Sequence, residues 1–327
     1  MTTKHMVIIH GRDKKPTEEE MTRLVRTSLI AGLRRIDEEA AAAVESERIK
    51  LTFIYYGDIN NAILIKHHCE LQNIMQEKNG NWYVYDGFYD RNLERLLNVP
   101  TDKMTKEDYE LFMSSAGPIK YYDDLARLGS PVLSFFGGGS TAIKALLPDL
   151  GAYLLSRVVG SQIRERLQCP LRNIMGRNED VALISHSMGC MVSYDVLWKF
   201  SRMSEYRSLW DKKVNLWMTL GNPLGEPAVL SNLYDADEPK DGRYPTNIVD
   251  WVNISAQDDY VAHDGDIADD FRPMLGQKLI RSIEDYPRIY TFWQENCGKR
   301  NPHNLFAYLN HPVVARRLVD WIHTDKF

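Results

Sequence analysis

The chain has 327 residues, 44% hydrophobic and 26% charged, with a formal net charge of −5 and a pI near 6.0. Such a chain is ordinary for a soluble globular protein, and it can bury its core as one α/β domain with insertions or as two smaller domains. It offers no basic footprint for nucleic acid and no apolar run long enough to span a bilayer. The only early apolar run, Met6 to Ile9, is far too short for a signal peptide.

Met6 to Ile9 is a β-type run ending in His10-Gly11-Arg12, and a helix start follows at Pro16. Residues 17–45 carry one long helical pattern with Leu24, Leu29, Leu33 and Ile36 on the apolar side. Lys50 to Tyr56 is a second strand, closed by Gly57-Asp58. Residues 177–202 combine an apolar strand with a helix over 188–202. Val214 to Leu220 is a strand stopped by Gly221-Asn222-Pro223, Ile248 to Ser255 the next, and Arg288 to Trp293 the last. Pro312 opens a terminal helix over 312–323.

Strands alternating with helices imply a doubly wound, mainly parallel sheet, whose chemistry lies beyond the carboxyl ends of the strands. Residues 1–58 and 171–327 form this core. The segment 59–170 breaks the alternation and is expected to be an insertion with a helical cap over the site. It holds aromatic clusters (Trp82, Tyr83, Tyr85, Phe88, Tyr89, then Tyr121 and Tyr122), the glycine run Gly137-Gly138-Gly139-Ser140 as a hinge, and an apolar helical stretch from Ala142 to Val159.

Within Ile184-Ser185-His186-Ser187-Met188-Gly189, an apolar strand ends in small-x-Ser-x-Gly and a helix begins at once. This is the pattern of a nucleophile elbow, which exposes its serine on a strained strand-to-helix turn. The alternative is that Ser187 only caps the helix. The amide of Met188, at the positive end of that helix, can donate to an oxyanion.

A serine hydroxyl needs a base. The loop before the last helix holds His303, in Asn301-Pro302-His303-Asn304, and His311, beside Pro312. His303 is preferred because it lies mid-loop, whereas His311 suits a cap. The acid follows the strand ending at Ser255, as Asp258 or Asp259, with Asp264 and Asp266 close behind. Asp259 is preferred because Val261 anchors the loop and turns that carboxylate inward. The second oxyanion amide comes from the turn after the first strand, at Gly11 or Arg12, and His10 reads as a buried packing residue.

These residues together resemble the α/β-hydrolase family: His-Gly after the first strand, Ser-x-Ser-x-Gly, Asp-x-Val and a late Asn-Pro-His. Within it, the chain is similar to compact esterase and lipase-type members that open directly on the oxyanion strand. Thr219-Leu220-Gly221-Asn222-Pro223-Leu224-Gly225 is similar to their Gly-Ser-Pro-Leu stretch. Trp251-Val252-Asn253 with Asp259-Tyr260-Val261-Ala262 resembles their strand and acid loop. The likeness spans about residues 6–57 and 177–323; Ser185 and Asn222 depart from it. It implies Ser187, Asp259 and His303 as the catalytic residues, with the amides of Arg12 and Met188 as oxyanion donors.

The function expected from this is cleavage of a carboxylic ester through an acyl-enzyme. The small-molecule ester needs neither a metal nor an organic cofactor. Lipase, amidase and acyltransferase chemistry use the same triad, and a non-catalytic binding protein uses the same fold. A nucleotide-binding protein is disfavoured, because no GxxxxGK[ST] or GxGxxG turn is present. Cys69, Cys169, Cys190 and Cys297 show no CxxC pair and no metal-type spacing, which suits reduced thiols in the cytoplasm. Lys144, Asp149 and Arg157 interrupt the apolar stretch of the cap and favour a soluble-substrate esterase over a lipase.

Overall fold

A computed structural model describes residues 3–85, 87–119, 147–239, 242–262 and 265–324. Strands β1 (Lys4–Ile9) and β2 (Lys50–Ile54) come first. An antiparallel hairpin of β3 (Met75–Lys78) and β4 (Asn81–Val84) follows, then the short β5 (Gly117–Ile119). The second half contributes β6 (Asp180–His186), β7 (Val214–Leu220), β8 (Ile248–Ala256), β9 (Ser282–Ile289) and β10 (Lys299–Arg300). Six of these form one parallel sheet in the order β2-β1-β6-β7-β8-β9, while β5 and β10 pair separately.

The apolar runs of β1 and β6 follow from burial on both sheet faces. In β1, Met6 and Ile8 enter a core with Leu24, Leu29 and Leu33 of the helix Glu18–Arg34 and Leu318 of the terminal helix Pro312–His323. Val7 and Ile9 point the other way, into a core with Ile163 and Leu167 of the helix Arg157–Gly176 and Val192 and Val196 of the helix Met188–Arg202. The result is an α/β sandwich with helices on both faces. Consecutive strands move outward from β1 to β2, then from β6 to β9. The chain therefore reverses direction across the sheet between β1 and β6, where such sheets open a crevice at the carboxyl edge.

Four elements differ from the sequence-based expectation. The helical pattern over 17–45 is two helices, Glu18–Arg34 and Glu38–Glu45, because Asp37 caps the second by accepting from the amides of Glu39 and Ala40. The last sheet strand is Ser282–Ile289, not 288–293. As an edge strand it pairs on one side and carries Glu284, Asp285 and Arg288, which hides its alternation. The aromatic run after it is buried by packing beyond the sheet, with Tyr290 and Phe292 both against Tyr109. A short helix, Leu305–Asn310, precedes the terminal one and is capped by Asn304.

The fourth difference concerns the insertion. Its expected end at 170 falls inside the helix Arg157–Gly176, whose Ile163, Leu167 and Leu171 are core residues. The stretch from Ala142 to Val159 is described from 147 onward. There the helix Pro148–Leu155 ends before Ser156, which caps the next helix. Tyr121, Tyr122, the glycine run at 137–140 and Lys144 lie outside the described residues. Among the described residues no helix is long and apolar enough to cross a membrane.

Candidate active site

Ser187 sits where β6 gives way to the helix Met188–Arg202, with φ 56° and ψ −128°. A non-glycine residue in this region is strained, by about 1–3 kcal/mol. Its side chain makes no capping hydrogen bond to the helix, so capping does not account for it. The strain is held by backbone: the Ser187 amide donates to the Leu220 carbonyl at 3.0 Å, and the Cys190 amide donates to the Ser187 carbonyl at 2.8 Å. Close packing completes the turn. A Cβ on Gly189 would lie 2.6 Å from the His10 carbonyl oxygen, and one on Gly11 would lie 2.5 Å from Ser187 Cβ and 3.0 Å from its Oγ. Ser185, where glycine is more usual, uses its hydroxyl: Oγ accepts from Trp217 Nε1 at 3.0 Å and meets Ser193 Oγ at 2.7 Å.

Opposite this turn, His303 Nδ1 lies 2.8 Å from Asp259 Oδ2, both side chains being buried. Asp259 also accepts from Tyr308 Oη at 2.6 Å and from the Val261 amide at 3.0 Å. Burial favours the protonated acid, but facing His303 and these hydrogen bonds outweigh it and hold the Asp259 carboxyl below the usual carboxylate range. An acceptor-only carboxylate makes Nδ1 the protonated nitrogen of a neutral His303. Gly221 lets the two meet: its φ is 55°, and a Cβ there would lie 2.8 Å from the imidazole and 2.9 Å from Asp259 Oδ2.

The alternatives lie elsewhere. Asp258, at φ 63°, turns towards Tyr109 Oη at 3.2 Å and Arg300 at 3.6 Å. His311 caps the terminal helix, where its Nδ1 accepts from the Val313 amide at 3.2 Å. Burial and the charge of Arg35 lower its pKa to about 4. Asp264 lies outside the described residues, and Asp266 does not line the cavity that holds Ser187 and His303.

Gly11 and Arg12 follow β1. The Tyr56 amide donates to His10 Nε2 at 3.1 Å, so His10 carries its proton on Nδ1 and donates to the Gly11 carbonyl at 2.6 Å. Burial, assisted by the charge of Lys15, pushes His10 well below its usual pKa and keeps it neutral. Its ring stacks on Tyr56 with centroids 4.0 Å apart, the packing role expected of it. Met188 is buried, and as the first residue of its helix its amide has no acceptor one turn back.

Ser187, His303, Gly11 and Arg12 line one cavity of ≈ 70 Å³, with His186, Lys14, Lys15, Tyr89 and Glu295 on its walls. Tyr89 is the contribution of the expected insertion. Asp149 does not lie on an exposed face but is completely buried, bonded to Arg12. Sequence reasoning missed Tyr308 and His186. His186 Nε2 donates to the His303 carbonyl at 2.9 Å, and the rings lie 4.6 Å apart, so the elbow residue also supports the histidine loop. Burial, with the nearby His303, keeps His186 neutral. Among the described residues no group of three or more His, Cys, Asp or Glu side chains is placed to hold a metal ion.

No family model, curated protein or solved structure matches the chain.

Proposed function

We propose that this protein is a serine hydrolase of the α/β-hydrolase type that cleaves carboxylic esters through an acyl-enzyme. The observation that carries this reading is the strained, uncapped Ser187 in one cavity with a histidine hydrogen-bonded to a buried, ionised Asp259. The cavity's place at the carboxyl edge between β1 and β6 supports it.

In the proposed reaction, Ser187 Oγ attacks the ester carbonyl carbon while His303 Nε2 takes the hydroxyl proton. Asp259 stays ionised and stabilises the imidazolium through the Nδ1 hydrogen bond. The amides of Arg12 and Met188 hold the oxyanion. Its collapse breaks the bond to the leaving alkoxide, which receives the proton from His303. Water, deprotonated by the same histidine, then attacks the acyl carbon and releases Ser187. A cavity of ≈ 70 Å³ suits a short acyl group.

A fluorophosphonate probe, which labels only an activated serine, tests this directly. The parent is expected to take the label and to hydrolyse p-nitrophenyl acetate. Ser187→Ala should keep its fold, lose the label and lose on the order of a million-fold in turnover. Activity of that variant within about tenfold of the parent overturns the assignment. Labelling without ester turnover points to an amidase or acyltransferase. Activation by a lipid interface with preference for long acyl chains points to a lipase. Neither labelling nor turnover points to a binding protein.

A further inference from the structure

The loop after β1 carries one of the proposed oxyanion amides, and a residue 137 positions further along grips it. Asp149, at the start of the helix Pro148–Leu155, is completely buried. Its Oδ1 accepts from Arg12 Nε at 3.0 Å and from the Leu150 amide at 3.0 Å, and its Oδ2 accepts from the Asp13 amide at 2.7 Å. We propose that Asp149 is a positioning residue for the oxyanion hole, setting the direction of the Arg12 amide. This rests on the hydrolase reading above.

The geometry shows how. A peptide unit is planar, so its N–H and C=O point in opposite directions and pinning one aims the other. In the unit joining Gly11 to Arg12, the carbonyl is taken by His10 Nδ1, which turns the Arg12 N–H away from His10. In the next unit, the Arg12 carbonyl accepts from Lys15 Nζ at 2.5 Å and the Asp13 N–H is held by Asp149. Arg12 is thus fixed between two pinned planes, with its own guanidinium bonded to the same carboxylate. Asp13 has φ 78°, a strained value that persists only while its surroundings impose it. Without the carboxylate, Asp13 and the plane joining it to Arg12 can relax, and the plane carrying the Arg12 N–H is left held by the His10 bond alone. A carboxylate is required because all three groups it meets are donors, whereas an asparagine would aim its NH₂ at one of them.

The test compares Asp149→Asn with Asp195→Asn. Asp195 is a second buried carboxylate bonded to an arginine and a backbone amide, through Arg164 and Tyr234, and it lies outside the candidate site. With p-nitrophenyl acetate, Asp149→Asn is expected to lower kcat about 10- to 100-fold and to leave KM within about threefold. Affinity for a trifluoromethyl ketone, whose carbonyl becomes a hemiketal oxyanion when Ser187 Oγ adds to it, should fall by the same factor as kcat. Asp195→Asn should lower the thermal midpoint and leave kcat within about twofold. A kcat for Asp149→Asn within about threefold of the parent overturns the proposal, as does an equal loss in Asp195→Asn.

If Asp149→Asn does not fold, Arg12→Met reads the same clamp from its partly exposed end. It leaves the Asp149–Asp13 bond in place and should lower kcat and ketone affinity together by about 3- to 10-fold. An unchanged kcat in that variant overturns the proposal. A parent that takes no fluorophosphonate and turns over no ester overturns the hydrolase reading, and this inference with it.

Discussion

The turn at Ser187 and the loop from His10 to Pro16 meet at one cavity but are held in different ways. The turn is braced by backbone and by close packing: Ser187 N–H to the Leu220 carbonyl, Gly189 against the His10 carbonyl, Gly11 against Ser187 itself. The loop is braced by side chains from other elements. Asn61 accepts from the Lys15 amide at 2.8 Å and donates to the Lys15 carbonyl at 2.9 Å, Tyr55 Oη donates to the Pro16 carbonyl at 2.7 Å, and Asp149 holds Arg12 and Asp13. Close packing of backbone cannot be relaxed in part, because no flexible atom is available to move. Side-chain braces can be removed one at a time, each at its own cost. The two regions should therefore respond to substitution in an all-or-none and a graded manner respectively.

The same difference decides what the sequence makes legible. The turn is specified within five consecutive residues, so small-x-Ser-x-Gly after an apolar strand is enough to recognise it. The apolar runs of β1 and β6 are legible for the same reason. The preference for Asp259 over Asp258 rests on one local cue, the apolar Val261, whose amide bonds that carboxylate. Asp149, Asn61 and Tyr308 leave no such cue. Their bonds to Arg12, Lys15 and Asp259 each span 46 or more residues, contacts that only the folded chain creates. Asp149 even reads misleadingly as a charge on a cap face, because its partners lie in the first strand's loop. The β9 boundary is hidden for a different reason, since edge strands carry polar residues on both sides.

Gly189→Ala should have the largest effect, since its Cβ would meet backbone oxygens of Ile9 and His10 at 3.0 and 2.6 Å. A loss of about 3 kcal/mol or more is expected, with activity and thermal midpoint falling together. A variant that folds at the parent's midpoint with full activity would break the comparison.

Acid titrates both regions, and His311 provides the means to separate them from the rest. Its folded pKa of about 4 lies below the ordinary 6.5, so below pH 6.5 the unfolded chain binds the extra proton first. Stability is therefore present above pH 6.5 and lost as the pH falls towards 4, by about 3 kcal/mol for this group. His311→Asn keeps a capping oxygen for Val313 and removes that share. What acid sensitivity remains is enriched in His10 and His186, which burial also keeps neutral. Thermal midpoints from pH 7 to 4 measure both parts, and an unaltered pH slope in His311→Asn would refute the assignment.

Asn61→Ala removes the brace on Lys15, which lies three residues beyond Arg12. The Lys15 carbonyl keeps the Val84 amide at 3.0 Å, but the Lys15 N–H is left without its acceptor. A loss of about 2 kcal/mol is expected by chemical denaturation, with kcat lowered less than in Asp149→Asn. If Asn61→Ala costs more kcat than Asp149→Asn, the loop is set from its far end, and the order of its braces is reversed.

Tyr308→Phe tests whether the acid behaves like the turn or like the loop. The hydroxyl donates to Asp259 Oδ2 and accepts from the Ala256 amide at 2.7 Å, so it ties the carboxylate to the end of β8. Asp259 keeps His303 and the Val261 amide when the hydroxyl is lost. The expected cost is therefore graded: about 1 kcal/mol of stability and a kcat lowered by about threefold. The pH dependence carries the sharper signature. A carboxylate whose folded pKa is depressed contributes stability above its unfolded value, and this is lost as the pH falls through the folded one. Removing one of the bonds that depress the Asp259 pKa raises the folded value, so the acid-side loss of stability and of kcat begins at a higher pH than in the parent. A kcat profile that drops without moving along the pH axis would show that the hydroxyl acts on packing alone.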